Sequence, residues 1–111
     1  MSLQGKVALI TGSTSGIGLG IAKVMASKGC HIAINGFGDK DEIEMERSGI
    51  EAEYGVKCVY FPADISDYDS VAAMVENAER QMGGVDILVN NAGIQFTSRV
   101  EDFPIEKWKA V

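Results

Sequence analysis

Residues 7–18 read Val7-Ala8-Leu9-Ile10-Thr11-Gly12-Ser13-Thr14-Ser15-Gly16-Ile17-Gly18. Four consecutive apolar residues with no polar alternation predict a strand covered on both faces, as in a parallel sheet. The glycines that follow let the backbone turn tightly. Beyond them Ile17, Ile21, Val24 and Met25 recur at helical spacing, which predicts a helix presenting that face to a core and ended by Gly29 as a left-handed cap. A strand, a glycine turn and a helix in succession form an arrangement in which helix N–H groups and the helix dipole receive phosphate. The spacing Gly-x-x-x-Gly-x-Gly departs from the P-loop, which needs glycine at the position of Ile17 followed by lysine. It departs also from Gly-x-Gly-x-x-Gly/Ala, because Ile21 fills the last small-residue position counted from Gly16. A glycine turn that binds nothing is the plain alternative, but a βαβ unit of about 30 residues around the loop favours a dinucleotide.

The same alternation continues along the chain. Apolar runs at Ile32–Ile34, Cys58–Phe61 and Ile87–Val89 predict three further buried strands. Between them, a helix is expected from about Asp39 to Glu53 with Ile43, Met45, Ile50 and Tyr54 as apolar contacts. Val71, Met74, Val75, Ala78 and Met82 mark a cleaner stripe, and Ser66-Asp67-Tyr68-Asp69 matches a capping box at its start. The order β-α-β-α-β-α-β predicts an α/β fold, a Rossmann-like doubly wound parallel sheet with right-handed crossovers and strand order 3-2-1-4. After Asn90 a loop is expected, and Pro104 reads as the first residue of a fourth helix. With Trp108 and Val111 near the end of the sequence and needing something to pack on, residues 1–111 are expected to be the cofactor-binding front part of a longer fold.

A chain of 111 residues has room for one domain at most. Its 46% hydrophobic and 23% charged residues match a soluble globular chain. Acidic residues outnumber basic ones by 16 to 10, giving a net charge of −6, and no basic stripe opposes that excess, so nucleic acid is not an expected partner. The start lacks the apolar stretch of about 7 to 15 residues that a secretory signal needs. No run approaches the roughly 20 residues that would span a bilayer, so a cytoplasmic setting is expected. Cys30 and Cys58 sit in apolar stretches and read as small buried hydrophobes rather than a disulfide or redox pair. His31 reads as a strand-edge residue, and neither a metal site nor a Ser-His-Asp arrangement is expected.

Thr11-Gly12-x-x-x-Gly16-Ile17-Gly18 together with Asn90-Asn91-Ala92-Gly93 resembles the motif pair of the short-chain dehydrogenases/reductases. The resemblance covers essentially all of the chain, while members of that family are usually more than twice as long. Within the family it narrows toward the enzymes acting on short 3-hydroxy acids, through residues 12–22, Asn35-Gly36-Phe37-Gly38-Asp39, Asn90-Asn91-Ala92-Gly93-Ile94-Gln95 and Glu101-Asp102-Phe103-Pro104. It implies hydride transfer between D-3-hydroxybutyrate and NAD, giving acetoacetate, by a protein that assembles as a homotetramer when full length. An NADPH-dependent 3-ketoacyl-thioester reductase of the same family and a dinucleotide-binding fragment without catalysis are the alternatives.

The resemblance also implies residue roles. Gly12, Thr14, Gly16 and Ile17 would line the pyrophosphate, Ser15 and Gly18 would belong to the same cofactor site, Phe37 would sit by the adenosine ribose, and Ala63, Asp64 and Ile65 would border adenine. Asn91, Ala92 and Gly93 would flank the nicotinamide ribose, and Gln95 would help hold the substrate carboxylate. Asp64 has a rationale of its own, since a carboxylate at the carboxyl end of the third strand can accept from the adenine amine; a turn or capping role is the alternative. Gly36 stands where many NAD-using relatives carry the acid that accepts from the ribose 2′-hydroxyl. Even so, Ser13, Thr14, Ser15, Gly36, Phe37 and Gly38 include no cation to partner a 2′-phosphate, so NAD is the expected cofactor, with Lys40 the residue most able to overturn that. The family's Tyr-x-x-x-Lys pair is missing, because Tyr54, Tyr60 and Tyr68 are followed four residues later by Cys58, Asp64 and Ala72. No catalytic residue is therefore expected within the chain.

Overall fold

The computed structural model describes residues 3–91 and, as backbone, residues 97–98. The elements run β1 (Val7–Ile10), α1 (Gly16–Ser27), β2 (His31–Ile34), α2 (Lys40–Tyr54), β3 (Cys58–Tyr60), α3 (Tyr68–Met82), β4 (Ile87–Val89) and β5 (Thr97–Ser98). They build one sheet in the order β3-β2-β1-β4-β5. The first four strands pair in parallel, as the apolar runs predict, in the expected 3-2-1-4 order. The loop expected after Asn90 instead includes β5, which pairs antiparallel with β4 through Leu88↔Ser98 and Val89↔Thr97. Two residues are too short a run to show any period in the sequence. The helix expected at Pro104, with Trp108 and Val111, lies outside the described residues.

Side chains alternate along each strand, so one strand feeds two cores. Val7 and Leu9 of β1 pack with Ala33, Leu88 and the α3 residues Val71, Met74, Val75 and Ala78. Ala8 and Ile10 pack on the other face with Ile32, Ile34, Ala22 and Ala26 of α1, and Ile43 and Ile50 of α2. Helices therefore cover both faces, which is why the strands lack polar alternation. Burying a Leu, Ile or Val side chain in this way contributes about 1.5–3 kcal/mol. Cys30 and Cys58 are free and buried, as expected. His31 opens β2, and its Nδ1 accepts from the Lys57 N–H at 3.0 Å. Among the described residues no helix is long and apolar enough to cross a membrane.

The face expected for α1 meets the core only in part: Ile21 and Met25 pack half-buried against it, while Ile17 and Val24 do not. Ile17 and Val24 are 73% and 57% exposed, and the buried residues are Gly18, Ala22 and Ala26. The centre of the seam is a small-residue stripe at intervals of four, which lets the helix lie close to the strands, with Leu19, Ile21 and Met25 packed half-buried beside it. Gly29 does follow the helix with φ +93°, and the Cys30 N–H closes the turn onto the Met25 carbonyl at 3.2 Å.

In α2, Ile43 and Ile50 are buried but Met45 is 70% exposed, because two residues on from Ile43 lies the opposite side of a helix. The cap of α3 is Asp67, whose carboxylate accepts from the Asp69 N–H at 3.2 Å. Ser66, expected to start the capping box, is diverted: its hydroxyl donates to Asp64 Oδ1 at 2.7 Å.

Candidate functional site

The parallel registers bring Tyr60, Ile34, Ile10 and Val89 into one row at the carboxyl edge of the sheet. The row just past it changes character. Among the described residues the buried polar side chains are Thr11, Ser13, Asn35 and Asn90, and all belong to these strand ends or the loop leaving them. Each is hydrogen-bonded across strands, as burial demands. Thr11 Oγ1 donates to Asn90 Oδ1 at 3.2 Å. Ser13 donates from its hydroxyl to the Ile10 carbonyl at 2.6 Å, and that hydroxyl accepts from the Asn35 N–H at 2.9 Å. Asn91 Nδ2 donates to the Gly12 carbonyl at 3.2 Å.

The glycine loop rests on this row. Gly12 and Gly16 take φ +59° and +60°, a left-handed conformation that side chains disfavour. Gly18 is required for a different reason. A Cβ there would overlap the Gly12 carbonyl oxygen and lie 2.8 Å from both the Gly12 carbonyl carbon and Asn91 Nδ2. Helix α1 opens from Ser15, which makes no side-chain cap bond, and its first turn holds no acid. The starts of α2 and α3 are closed by Asp39 and Asp67. Only at α1, among these three, is the positive helix end left without a capping carboxylate, which is the condition for receiving an anion.

Three loops enclose a cleft of about 310 Å³ beside that helix start. Gly12, Thr14 and Ser15 form one wall; Asn35, Gly36 and Phe37 leave β2; Ala63 and Ile65 follow β3. Six residues marked in the sequence thus come together: Gly12, Thr14, Ser15, Phe37, Ala63 and Ile65. Gly16 lines an adjoining groove of about 480 Å³ with Thr14, Ser15, Leu19, Glu42, Met45 and Glu46. Gly18 is buried beneath the loop, Ile17 is exposed on the first turn of α1, and Asn91 braces Gly12 from behind. Ala92, Gly93 and Gln95 lie outside the described residues.

Asp64 takes the turn role. Its Oδ1 accepts from the Ser66 N–H at 2.9 Å and from the Ser66 hydroxyl, and these bonds hold its carboxyl below the usual range. A carboxylate has about four lone-pair sites, so the turn leaves acceptor capacity on an exposed group.

The structure gives a steric reason for the glycine at position 36. Its φ is +155°, and a Cβ there would come 2.5 Å from Thr14 Oγ1. Thr14 occupies that space while donating to the Phe37 carbonyl at 3.3 Å, and the Tyr60 hydroxyl donates to the Gly36 carbonyl. The loop is thereby held with Phe37 70% exposed at the rim of the cleft. Among the described residues no Lys or Arg lines either groove. Lys40 heads α2 but is not part of the lining. Lys23 beside the second groove pairs with Glu46 at 3.4 Å. The site residue missed in the sequence is Asn35. Its signal was a polar side chain ending an otherwise apolar strand, Ile32-Ala33-Ile34.

The family profile described as short chain dehydrogenase matches residues 6–111. The chain is 50% identical over 109 residues to the D-beta-hydroxybutyrate dehydrogenase of Cupriavidus necator, covering 98% of this chain and 42% of that one. It is 44% identical over 106 residues to the enzyme of the same name from Rhizobium meliloti, covering 96% and 41%. Among solved structures it resembles L-sorbose reductase from Gluconobacter frateurii, complexed with NADPH and L-sorbose, with a TM-score of 0.77 and 38% identity over 98% of this chain and 41% of that one. The chain thus spans about two-fifths of the length of the curated relatives it matches.

Proposed function

The chain belongs to the short-chain dehydrogenase family, and from that premise we propose that it carries the dinucleotide cleft of an NAD-dependent dehydrogenase interconverting D-3-hydroxybutyrate and acetoacetate. The observation that carries the cofactor reading is the cleft itself. It is walled by the glycine loop, the β2 end and the β3 end, and it opens beside an α1 start that no carboxylate caps. The backbone N–H groups of residues 14–17 would receive the pyrophosphate. Phe37 at the rim and Ala63 and Ile65 on the far wall offer apolar surface to an adenosine. When bound, the nicotinamide would supply the hydride acceptor, and the chain's own residues here would hold the dinucleotide by its adenosine and pyrophosphate.

NAD is favoured over NADP because the cleft and groove linings hold two carboxylates, Glu42 and Glu46, and no cation. A 2′-phosphate next to them would lack a charge-assisted partner. The NADPH in the similar L-sorbose reductase favours the cofactor half of the second reading, a reductase of 3-ketoacyl thioesters using NADPH, and says nothing of its substrate. The substrate assignment draws on the resemblance of the 50% and 44% identical relatives. The test is a titration of the intact protein with NAD and NADP, followed by NADH formation with D-3-hydroxybutyrate. Binding of NAD at least about tenfold tighter than NADP, with turnover, is the expected result. Preference for NADP, with turnover only of a thioester, would select the second reading.

A further inference from the structure

Asn35 is 2% exposed and its carboxamide reaches both walls of the cleft. Nδ2 donates to the Phe61 carbonyl at 3.0 Å and the Ala63 carbonyl at 3.2 Å, on the β3 side. Oδ1 accepts from the Gly12 N–H at 3.4 Å, on the glycine-loop side. Its backbone is bonded to the same loop, with the Ser13 N–H donating to the Asn35 carbonyl at 2.6 Å. The register allows this, since β2 lies between β1 and β3 and Asn35 is the first residue past the level at which these strands end. An apolar residue here could pack, but it could not tie two loops to each other. A buried amide with donors used on one side and its acceptor on the other fixes their spacing.

We propose that Asn35 is a positioning residue that sets the distance between the two walls, and so governs affinity for ligands that must touch both. This rests on the dinucleotide reading of the cleft. A ligand with adenosine and pyrophosphate joined gains from both contacts only if the walls stand at the matching separation, because the two binding events share one cost of association. Adenosine alone has no pyrophosphate and does not need the glycine loop. Loss of the tie therefore penalises NAD and ADP and spares adenosine. A residue that merely stabilised the fold would leave the three affinities in their original ratio.

The experiment is calorimetric titration of the intact protein with NAD, ADP and adenosine, for the natural sequence and for Asn35→Ala, with circular dichroism to establish folding. The expected result is a rise of about tenfold in Kd for NAD and ADP, the scale of one or two net hydrogen bonds, with adenosine within about twofold. Ser13→Ala is the comparison. It removes a hydroxyl bonded to the Asn35 backbone and leaves the carboxamide tie, so it is expected to lower stability without separating ADP from adenosine. Should Asn35→Ala not fold, Asn35→Leu, which keeps the volume and brings no charge but makes none of the carboxamide bonds, takes its place. Equal weakening of all three ligands, no weakening in a folded variant, or the same separation in Ser13→Ala would overturn the proposal. Failure of both Asn35 variants to fold would assign the residue to the core alone. Absence of binding by the natural sequence would instead overturn the dinucleotide reading beneath it.

Discussion

Replacing Gly18 by alanine adds one methyl group where helix α1 crosses the glycine loop. The new Cβ would lie 2.8 Å from the Gly12 carbonyl carbon and from Asn91 Nδ2, where ordinary contacts begin near 3.4 Å. The Gly12 carbonyl oxygen lies closer still, so helix or loop must withdraw by well over about 0.6 Å, and on the Gly12 side the obstacle is backbone, which cannot rotate away. Overpacking of this kind costs about 1–3 kcal/mol. Against it stands the gain from replacing a helical glycine with alanine, about 1 kcal/mol. The net loss is up to about 2 kcal/mol, a fall in Tm of several degrees, roughly 2–8 °C per kcal/mol depending on the size of the unfolding unit. The same displacement moves the α1 N–H groups away from the loop, so affinity for NAD should fall with stability. Thermal unfolding and a titration with NAD, both on the intact protein, measure the two effects. A variant with unchanged or higher Tm and unaltered NAD affinity would show that helix propensity wins and that the close approach at Gly18 is not a constraint.

Two further outcomes follow from the titratable groups. Burial pushes the Cys58 thiol up to about 12 and raises that of Cys30, so iodoacetamide at about pH 8 should label neither in the native protein and both in denaturant, read by mass spectrometry; native labelling at the denatured rate would contradict the buried placement. Glu51 Oε2 accepts from the Cys58 N–H at 3.0 Å and Oε1 from Arg47 at 2.9 Å, and these contacts hold its carboxyl below its ordinary 4.5. Because the folded value is the lower one, the stabilisation is present above 4.5 and lost as pH falls through the folded value. Glu51→Gln should therefore be less stable than the natural protein at about pH 7, with the gap narrowing at about pH 3 in urea unfolding. A gap that does not change with pH would assign the effect to packing.

The parts of the fold legible in the sequence are those governed by local rules. Continuous apolar runs marked the strands, the Val71–Met82 stripe marked α3, and the Thr11–Gly18 loop marked the place where β1 hands over to a helix. What escaped depends on partners distant in sequence. The buried face of α1 is Gly18, Ala22 and Ala26, a pattern that a search for large hydrophobes passes over, because closeness to the sheet rather than side-chain size decides it. The α3 cap slipped from Ser66 to Asp67 because Asp64, a turn earlier, competes for the serine hydroxyl. Asn35 stands in a segment that carries the resemblance, yet nothing there gives it a role; that role exists only once the sheet register sets it between Ser13 and Ala63. The glycine at 36 reads in sequence as a missing acid, and only the Thr14 side chain beside it explains why.

The shared level at which the parallel strands end has a consequence for how this scaffold tolerates change. Below that level the interior is hydrocarbon and answers to volume; above it, an exposed loop residue such as Phe37 can vary with little claim on the interior. Thr11, Ser13, Asn35 and Asn90 lie on the boundary and answer to both demands. Substitutions that retune ligand choice should therefore accumulate in the loops at small thermodynamic cost. Those in the boundary layer would have to be exchanged in bonded pairs, since altering one member leaves a buried polar partner unsatisfied. Drift at these four positions should thus be correlated rather than independent, and directed evolution of the cleft would do best to hold them fixed.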